Sequence, residues 1–169
     1  MTHRRDVGCG FVGSVLLVGM LLVGPTGCAA QRTGTGSSER AERQVSENAA
    51  KRQMVEAVDD ATERLGGEWK ARTGPDYAEG CVLADGERGA HWRYLTGSTL
   101  AGRPDADAAR VTEHWERQGM RVTQRDSSDG PAIFGDGAGK VTSISVYAHS
   151  GNYTVQAVSL CFPGDADEL

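Results

Sequence analysis

Apolar residues recur at helical spacing ahead of a Gly-Gly pair, and this pattern predicts a first helix. One face of that helix is formed by apolar residues at intervals of four, three and four positions: Met54, Val58, Ala61 and Leu65. Gly66-Gly67 favours a stop directly afterwards. The packed part of the helix is expected to begin near Val45, because residues 39–44 are almost wholly polar.

A second helix is predicted from Ala106 to Gln118. Asp105 and Asp107 favour its N-terminus, where the helix dipole stabilises acidic side chains. Gly119 directly follows it and ends it. Its buried stripe is expected to contain Ala108, Val111 and Trp115.

Extended segments account for most of the remaining chain. They are predicted at 68–73, 77–83, 91–95, 120–124, 133–134, 141–148 and 153–162. Gly74-Pro75-Asp76 has the composition of a turn and is expected to separate the first two.

The last two segments form the clearest hairpin. A two-residue turn at Ser150-Gly151 places Val146 opposite Val155. In this register the apolar residues of both strands share one face, and Cys161 lies on the same face. Cys161 is therefore expected to point into the core.

The order helix, strands, helix, strands predicts an α+β fold, in which two helices pack on one face of an antiparallel sheet. Only 38% of the residues are hydrophobic, so the large aromatic side chains are needed inside the domain. We expect four of them in the core: Trp69, Trp92, Tyr94 and Trp115.

Residues 1–27 are typical of a lipoprotein signal peptide. Arg4 and Arg5 precede the apolar residues 7–24, and small residues lead to Cys28. This junction resembles a bacterial lipobox, in which the cysteine takes up diacylglycerol and becomes the new N-terminus. The alternative is an uncleaved signal anchor, because a helix of the 18 residues 7–24 would span about 27 Å. Both interpretations place the rest of the chain outside the cytoplasm.

Composition divides the remainder into three parts. Residues 28–45 are predicted to be a flexible tether and the polar start of the first helix, 46–163 a single α+β domain, and 164–169 an acidic, frayed tail. Cleavage before Cys28 would change the formal charge from −5 to −6, because Arg4, Arg5 and Asp6 would be lost. An acidic exported domain is a poor candidate for binding nucleic acid.

Two cysteines, Cys81 and Cys161, lie beyond Cys28. An even pair in an oxidising compartment favours a disulfide between them. The alternative is a two-cysteine metal site, but no histidine lies at ligand-like spacing from either cysteine. We therefore predict a disulfide and no metal site.

The candidates for catalysis are weak. His91, His114 and His149 are each expected to be solvated surface residues, and no pair has the spacing of a helical zinc motif. Residues 134–141 resemble a phosphate-binding loop, but Phe134 and Val141 replace its first glycine and its Ser or Thr. This segment is expected to be a loop between strands, and the sequence predicts no catalytic residue and no cofactor.

The chain resembles small actinobacterial cell-envelope lipoproteins of unassigned role. The resemblance is carried by Cys28, Trp69, Cys81, Trp115 with Gly119, and Cys161-Phe162-Pro163. It implies a lipid-anchored protein on the outer face of the cell membrane and brings no catalytic residue. We expect a non-catalytic binding or accessory module for an envelope protein or wall component. The alternatives are an envelope hydrolase, with a site assembled from histidines and carboxylates, and a purely structural or assembly factor.

Overall fold

Two helices lie on one face of a seven-stranded antiparallel sheet in the computed structural model, which describes residues 44–169. The predicted α+β class and architecture are therefore confirmed. The predicted signal peptide at 1–27, Cys28 and most of the tether at 28–45 lie outside the described residues.

The elements follow one another with short connections. They are α1 (Glu47–Leu65), β1 (Lys70–Val82), β2 (Arg88–Ser98), α2 (Pro104–Arg117), β3 (Met120–Arg125), β4 (Ala132–Gly137), β5 (Val141–Tyr147), β6 (Tyr153–Ser159) and β7 (Phe162–Pro163). The strand order is β1-β2-β6-β5-β4-β3, and β7 pairs with β2. The predicted acidic tail does not fray entirely, because Ala166–Glu168 forms a 3₁₀ turn capped by the Asp165 side chain.

Helix α1 agrees with its predicted pattern. The Ser46 hydroxyl accepts a hydrogen bond from the Ala49 N–H and caps the N-terminus. Gly66 has a φ of 75°, a conformation that glycine adopts without steric cost, and it ends the helix. The buried face consists of Ala50, Met54, Val58, Ala61 and Leu65.

The predicted turn at Gly74-Pro75-Asp76 is wrong, because these residues form an irregularity inside the single strand β1. Thr73 pairs with Leu95 and Tyr77 with Arg93, so three residues of β1 lie opposite one residue of β2. At Gly74 an added Cβ would overlap the backbone oxygen of Arg93, so the strands approach closely there. Pro75 has no N–H to donate, which an edge strand tolerates.

The β5–β6 hairpin has the predicted register, with Val146 opposite Val155. The expectation for Cys161 is wrong, since β6 ends at Ser159 and the chain then pairs with β2 as β7. Phe162 takes the core position, with its ring centroid 5.8 Å from that of Trp92. Cys161 is only half-buried, because it lies where the chain leaves β6 for β7 and the alternation of side chains between the two faces is interrupted.

Helix α2 begins at Pro104, two residues before the predicted start, as proline is favoured in the first turn of a helix. Its buried stripe contains Ala108, Val111 and Trp115 as predicted. Asp107 is also buried, with 3% of its surface exposed.

Three donors explain the burial of the Asp107 carboxylate. Oδ2 accepts hydrogen bonds from the Arg103 N–H and the Tyr153 hydroxyl, both at 2.8 Å, and Oδ1 lies 2.6 Å from the Arg110 guanidinium. A buried carboxylate is tolerated when it is paired and hydrogen-bonded in this way. The cluster fastens the start of α2 to the start of β6.

The prediction for the aromatic core holds for two of the four residues. Trp92 and Trp115 are buried, whereas Trp69 and Tyr94 are half-buried at the margin of the core.

Trp115 reaches the sheet over Gly135, where an added Cβ would lie 2.9 Å from its ring. The absence of a side chain at this glycine thus makes room for the indole.

Candidate functional site

Within the described residues, the face of the sheet opposite the helices is open. In β5, Ile144 and Val146 are buried beneath the helices, while Ser143, Ser145 and Tyr147 alternate with them. No helix among residues 44–169 packs on this second face. Its side chains are therefore available to a ligand.

The strand register joins side chains of this open face into rows. Gln156 lies opposite both Leu95 and Ser145, Ser145 lies opposite Phe134, and Phe134 opposite Thr123. Directly paired residues point to the same side of a sheet. The row thus crosses five adjacent strands from β2 to β3.

A shallow concavity of about 560 Å³ lies on this face. We call it the sheet-face site; the side chains that line its open surface are Arg121, Thr123, Phe134, Asp136, Ser143, Ser145, Tyr147 and Gln156. Its size is within the range of small-molecule binding sites.

Two aromatic rings form the apolar part of the sheet-face site. Phe134 and Tyr147 meet edge to face, with ring centroids 5.7 Å apart and planes at 86°. The Arg125 guanidinium lies 5.2 Å from the Phe134 centroid in a cation–π contact. Tyr147 is 48% exposed. It offers a contact surface to a ligand.

The polar part of the site is electrically balanced. The Arg121 guanidinium donates to Asp136 at 2.7 Å, so the two charges of the lining residues neutralise each other. In the described part of the chain, no protein group hydrogen-bonds to the side chains of Thr123, Ser145 or Gln156. These groups can both donate to and accept from a ligand.

His91 belongs to a separate polar cluster where β1 meets β2. Its Nε2 lies 3.4 Å from Glu79 Oε2, and the Arg93 guanidinium donates to the same oxygen at 2.8 Å. Only 18% of the His91 side chain is exposed, so the prediction of a solvated residue is wrong. The neighbouring strand supplies a carboxylate that the local alternation did not reveal.

His114 is also less exposed than predicted. Its Nε2 lies 2.6 Å from Asp60 Oδ2 of helix α1, and 12% of its side chain is exposed. Gln118 donates to the same carboxylate at 3.2 Å. This contact joins the two helices, and only the tertiary fold brings Asp60 to it.

His149 is exposed beside the turn between β5 and β6, as predicted. The three histidines thus occupy three different places: the β1–β2 pair, the interface of the two helices, and a hairpin turn. The structure does not bring two of them to one carboxylate.

Burial perturbs two tyrosines away from the sheet-face site. The pKa of Tyr153 is raised above its ordinary value of 10.0, firstly by burial and secondly by its hydrogen bond to Asp107. Burial, followed by the charge of Asp59, raises the pKa of Tyr94. Both hydroxyls remain protonated at neutral pH and serve as neutral groups of the fold.

The segment that resembles a phosphate-binding loop was expected to be a loop between strands, and this is correct only for residues 138–140. Phe134 to Gly137 belong to β4, and β5 begins at Val141, so no helix follows the glycines. The strand is longer than the predicted 133–134, because β3 and β5 pair with it on both sides.

Cys81 and Cys161 form the predicted disulfide, with Cα atoms 6.2 Å apart. The bond connects the end of β1 to the segment between β6 and β7.

Within residues 44–169, no group of three or more histidine, cysteine or acidic side chains is arranged to hold a metal ion. The described helices include none with the length and apolar character needed to cross a membrane.

The sequence prediction missed the sheet-face site. Because side chains of a strand alternate between its two faces, Ser143 and Ser145 lie on one polar face, and Tyr147 lies on the same face. A tyrosine on the same strand face as two serines was the one sequence feature that indicated a binding surface. The contributions of Thr123, Phe134 and Gln156 depend on the pairing register of β3, β4 and β6 with their neighbours, which the local pattern does not determine.

No protein-family model matches the chain, and no curated protein matches it. The fold is similar to the crystal structure of a DUF4853 family protein from Actinomyces odontolyticus ATCC 17982. The TM-score is 0.52 and the sequences are 22% identical, over 73% of this chain and 72% of that chain. At this identity the comparison supports the α+β fold and carries no statement about activity.

Proposed function

We propose that this chain is an exported protein held by a lipid on Cys28 at the outer face of the cell membrane. We propose further that it is a non-catalytic module that binds an envelope protein or a wall component through the sheet-face site. The binding role rests on one observation, the exposed Tyr147 ring beside polar side chains that have no partner in residues 44–169.

The membrane attachment is supported by the basic start, apolar centre and small residues before Cys28. In cells, an inhibitor of lipoprotein signal peptidase is expected to make the precursor accumulate. The Cys28→Ala protein is expected to carry no lipid, because the attachment site is lost. Cys9→Ala, a matched change within the apolar segment, is expected to leave lipid attachment intact. A Cys28→Ala protein that is still lipidated and processed normally would contradict the proposal.

The binding role can be tested by site-specific photo-crosslinking in intact cells. A photoreactive phenylalanine derivative at Tyr147 is expected to capture a partner or wall material. The same residue at Tyr77 is the control, because this tyrosine is equally exposed, at 46% against 48%, but lies on the edge strand β1 of the same face, outside the site. Equal capture from both positions, or none from either, would refute a binding role of the sheet-face site.

The alternative function is an envelope hydrolase, and the His114–Asp60 pair is the observation that favours it. A carboxylate 2.6 Å from an imidazole nitrogen can orient a histidine that acts as a general base. The test is turnover of wall or envelope substrates by the purified protein. Activity that His114→Ala abolishes and His149→Ala retains would replace the binding proposal.

A further inference from the structure

We infer that the ligand of the sheet-face site is a neutral carbohydrate chain bound by its sugar rings. The inference deepens the proposed function and rests on it, because it names the chemical class that this face would recognise. It follows from the charge, the chemistry and the position of the lining side chains.

The charge of the site matches a neutral ligand. Arg121 and Asp136 are the charged residues among those that line the concavity, and they pair at 2.7 Å. The neighbouring Arg125 guanidinium is directed at the Phe134 ring, 5.2 Å from its centroid. A charged ligand would have to compete with these contacts: an anion would draw Arg125 away from the Phe134 ring, and either sign of charge would disrupt the Arg121–Asp136 pair.

The remaining groups match the two kinds of surface that a sugar ring presents. Pyranose rings have apolar C–H faces, which pack on aromatic side chains, and rims of hydroxyl groups, which both donate and accept hydrogen bonds. The exposed Tyr147 ring offers the first contact. Ser145, Thr123 and the Gln156 amide offer the second, since each also donates and accepts.

The position of the site on the face of the sheet disfavours an extended peptide. Strands β4, β5 and β6 are each paired on both sides, so their backbone groups are already hydrogen-bonded. A peptide that adds a strand needs an unpaired edge, and the edges of the main sheet are β1 and β3. The sheet-face site offers side chains alone, which suits a ligand that is itself recognised through hydroxyls and ring faces.

Calorimetric titration of the full chain in detergent tests the inference, with cellotetraose and chitotetraose as neutral probes. Tyr147→Ala is expected to weaken binding about tenfold, whereas Tyr147→Phe retains it because the ring remains. Gln156→Ala is expected to weaken it several-fold through the lost amide. Tyr77→Ala is the matched control and leaves the affinity unchanged, and thermal melts confirm that every variant is folded.

The ionic strength gives an independent readout. Binding of a neutral chain is expected to change little between about 50 mM and about 500 mM NaCl, because no ion pair with the ligand is screened. A steep loss of affinity with salt would overturn the neutral ligand class.

The outcomes separate this inference from the proposed function. If photo-crosslinking from position 147 succeeds but neither tetrasaccharide binds, the carbohydrate inference is wrong and the binding role stands. The same conclusion follows if an extended peptide prevents crosslinking from position 147. If crosslinking from position 147 fails, the binding role falls. Tetrasaccharide binding that Tyr147→Ala and Tyr77→Ala affect equally also overturns the inference.

Discussion

Replacing Tyr153 by phenylalanine is expected to lower the free energy of unfolding by about 1.5–3 kcal/mol at pH 7. The Tyr153 side chain is fully buried, and its hydroxyl donates to Asp107 Oδ2 at 2.8 Å. The variant keeps the ring, so no apolar volume is lost. The cost comes from one of three donors removed from a buried carboxylate, and hydrogen bonds to charged groups are worth this much.

The pH dependence follows from the raised pKa of Tyr153. Above pH 10.0 the tyrosine of the unfolded chain ionises, while the buried hydroxyl of the folded chain keeps its proton. This contribution to stability is therefore fully present below pH 10.0 and is lost as the pH rises towards the folded pKa. The advantage of the natural protein over Tyr153→Phe is expected to shrink by about 1.4 kcal/mol per pH unit above that point.

Urea unfolding followed by tryptophan fluorescence measures both effects, at pH 7 and at several values above pH 10. Tyr77→Phe is the control, because its side chain is 46% exposed, and its stability is expected to stay within about 0.5 kcal/mol of the natural protein. A loss below about 0.5 kcal/mol for Tyr153→Phe at pH 7, or a difference that stays constant through alkaline pH, would refute the reasoning.

Three further substitutions test the packing. Replacing Cys81 and Cys161 together by serine is expected to cost about 2–5 kcal/mol in urea unfolding, and adding reductant should then affect the natural protein but not the variant. Gly102→Ala is expected to cost about 2–5 kcal/mol, because its φ is 54° and a Cβ would overlap the buried tyrosine hydroxyl; an unchanged melting temperature would contradict this. Gly135→Ala is expected to cost about 1–3 kcal/mol, since its Cβ would press on the Trp115 ring, and near-ultraviolet circular dichroism that stays identical to that of the natural protein would argue against such a contact.

The parts of the fold that could be predicted are those with local causes. The buried face of α1 follows from the spacing of its apolar residues, and the β5–β6 register follows from the turn at Ser150-Gly151. In both cases the residues that decide the structure are near neighbours in the chain. The fold class then followed from the order of the elements.

The errors have distant causes. Gly74-Pro75-Asp76 has the composition of a turn, and only the adjacent β2 shows that the chain continues as one strand. The burial of His114, which was predicted to be solvated, depends on Asp60, 54 positions away. Local periodicity contains no information about such partners.

The candidate site lay beyond prediction for the same reason. Its lining comes from β3, β4, β5 and β6, which neighbour one another in chain order, so what the local pattern lacked was the pairing register that aligns their polar side chains. The sequence indicated that β5 has a polar face. It did not indicate that the polar faces of β3, β4, β5 and β6 would lie side by side.

The irregular course of β1 has a consequence for self-association. Exposed edge strands attract edges of other molecules, and the proposed lipid anchor would hold neighbouring copies at high local concentration. One edge of the main sheet is interrupted at Pro75, which offers no N–H to an incoming strand. The other edge, β3, is only six residues long, so a second copy could form few backbone hydrogen bonds with it. Crowded copies are therefore expected to remain separate instead of joining into continuous sheets.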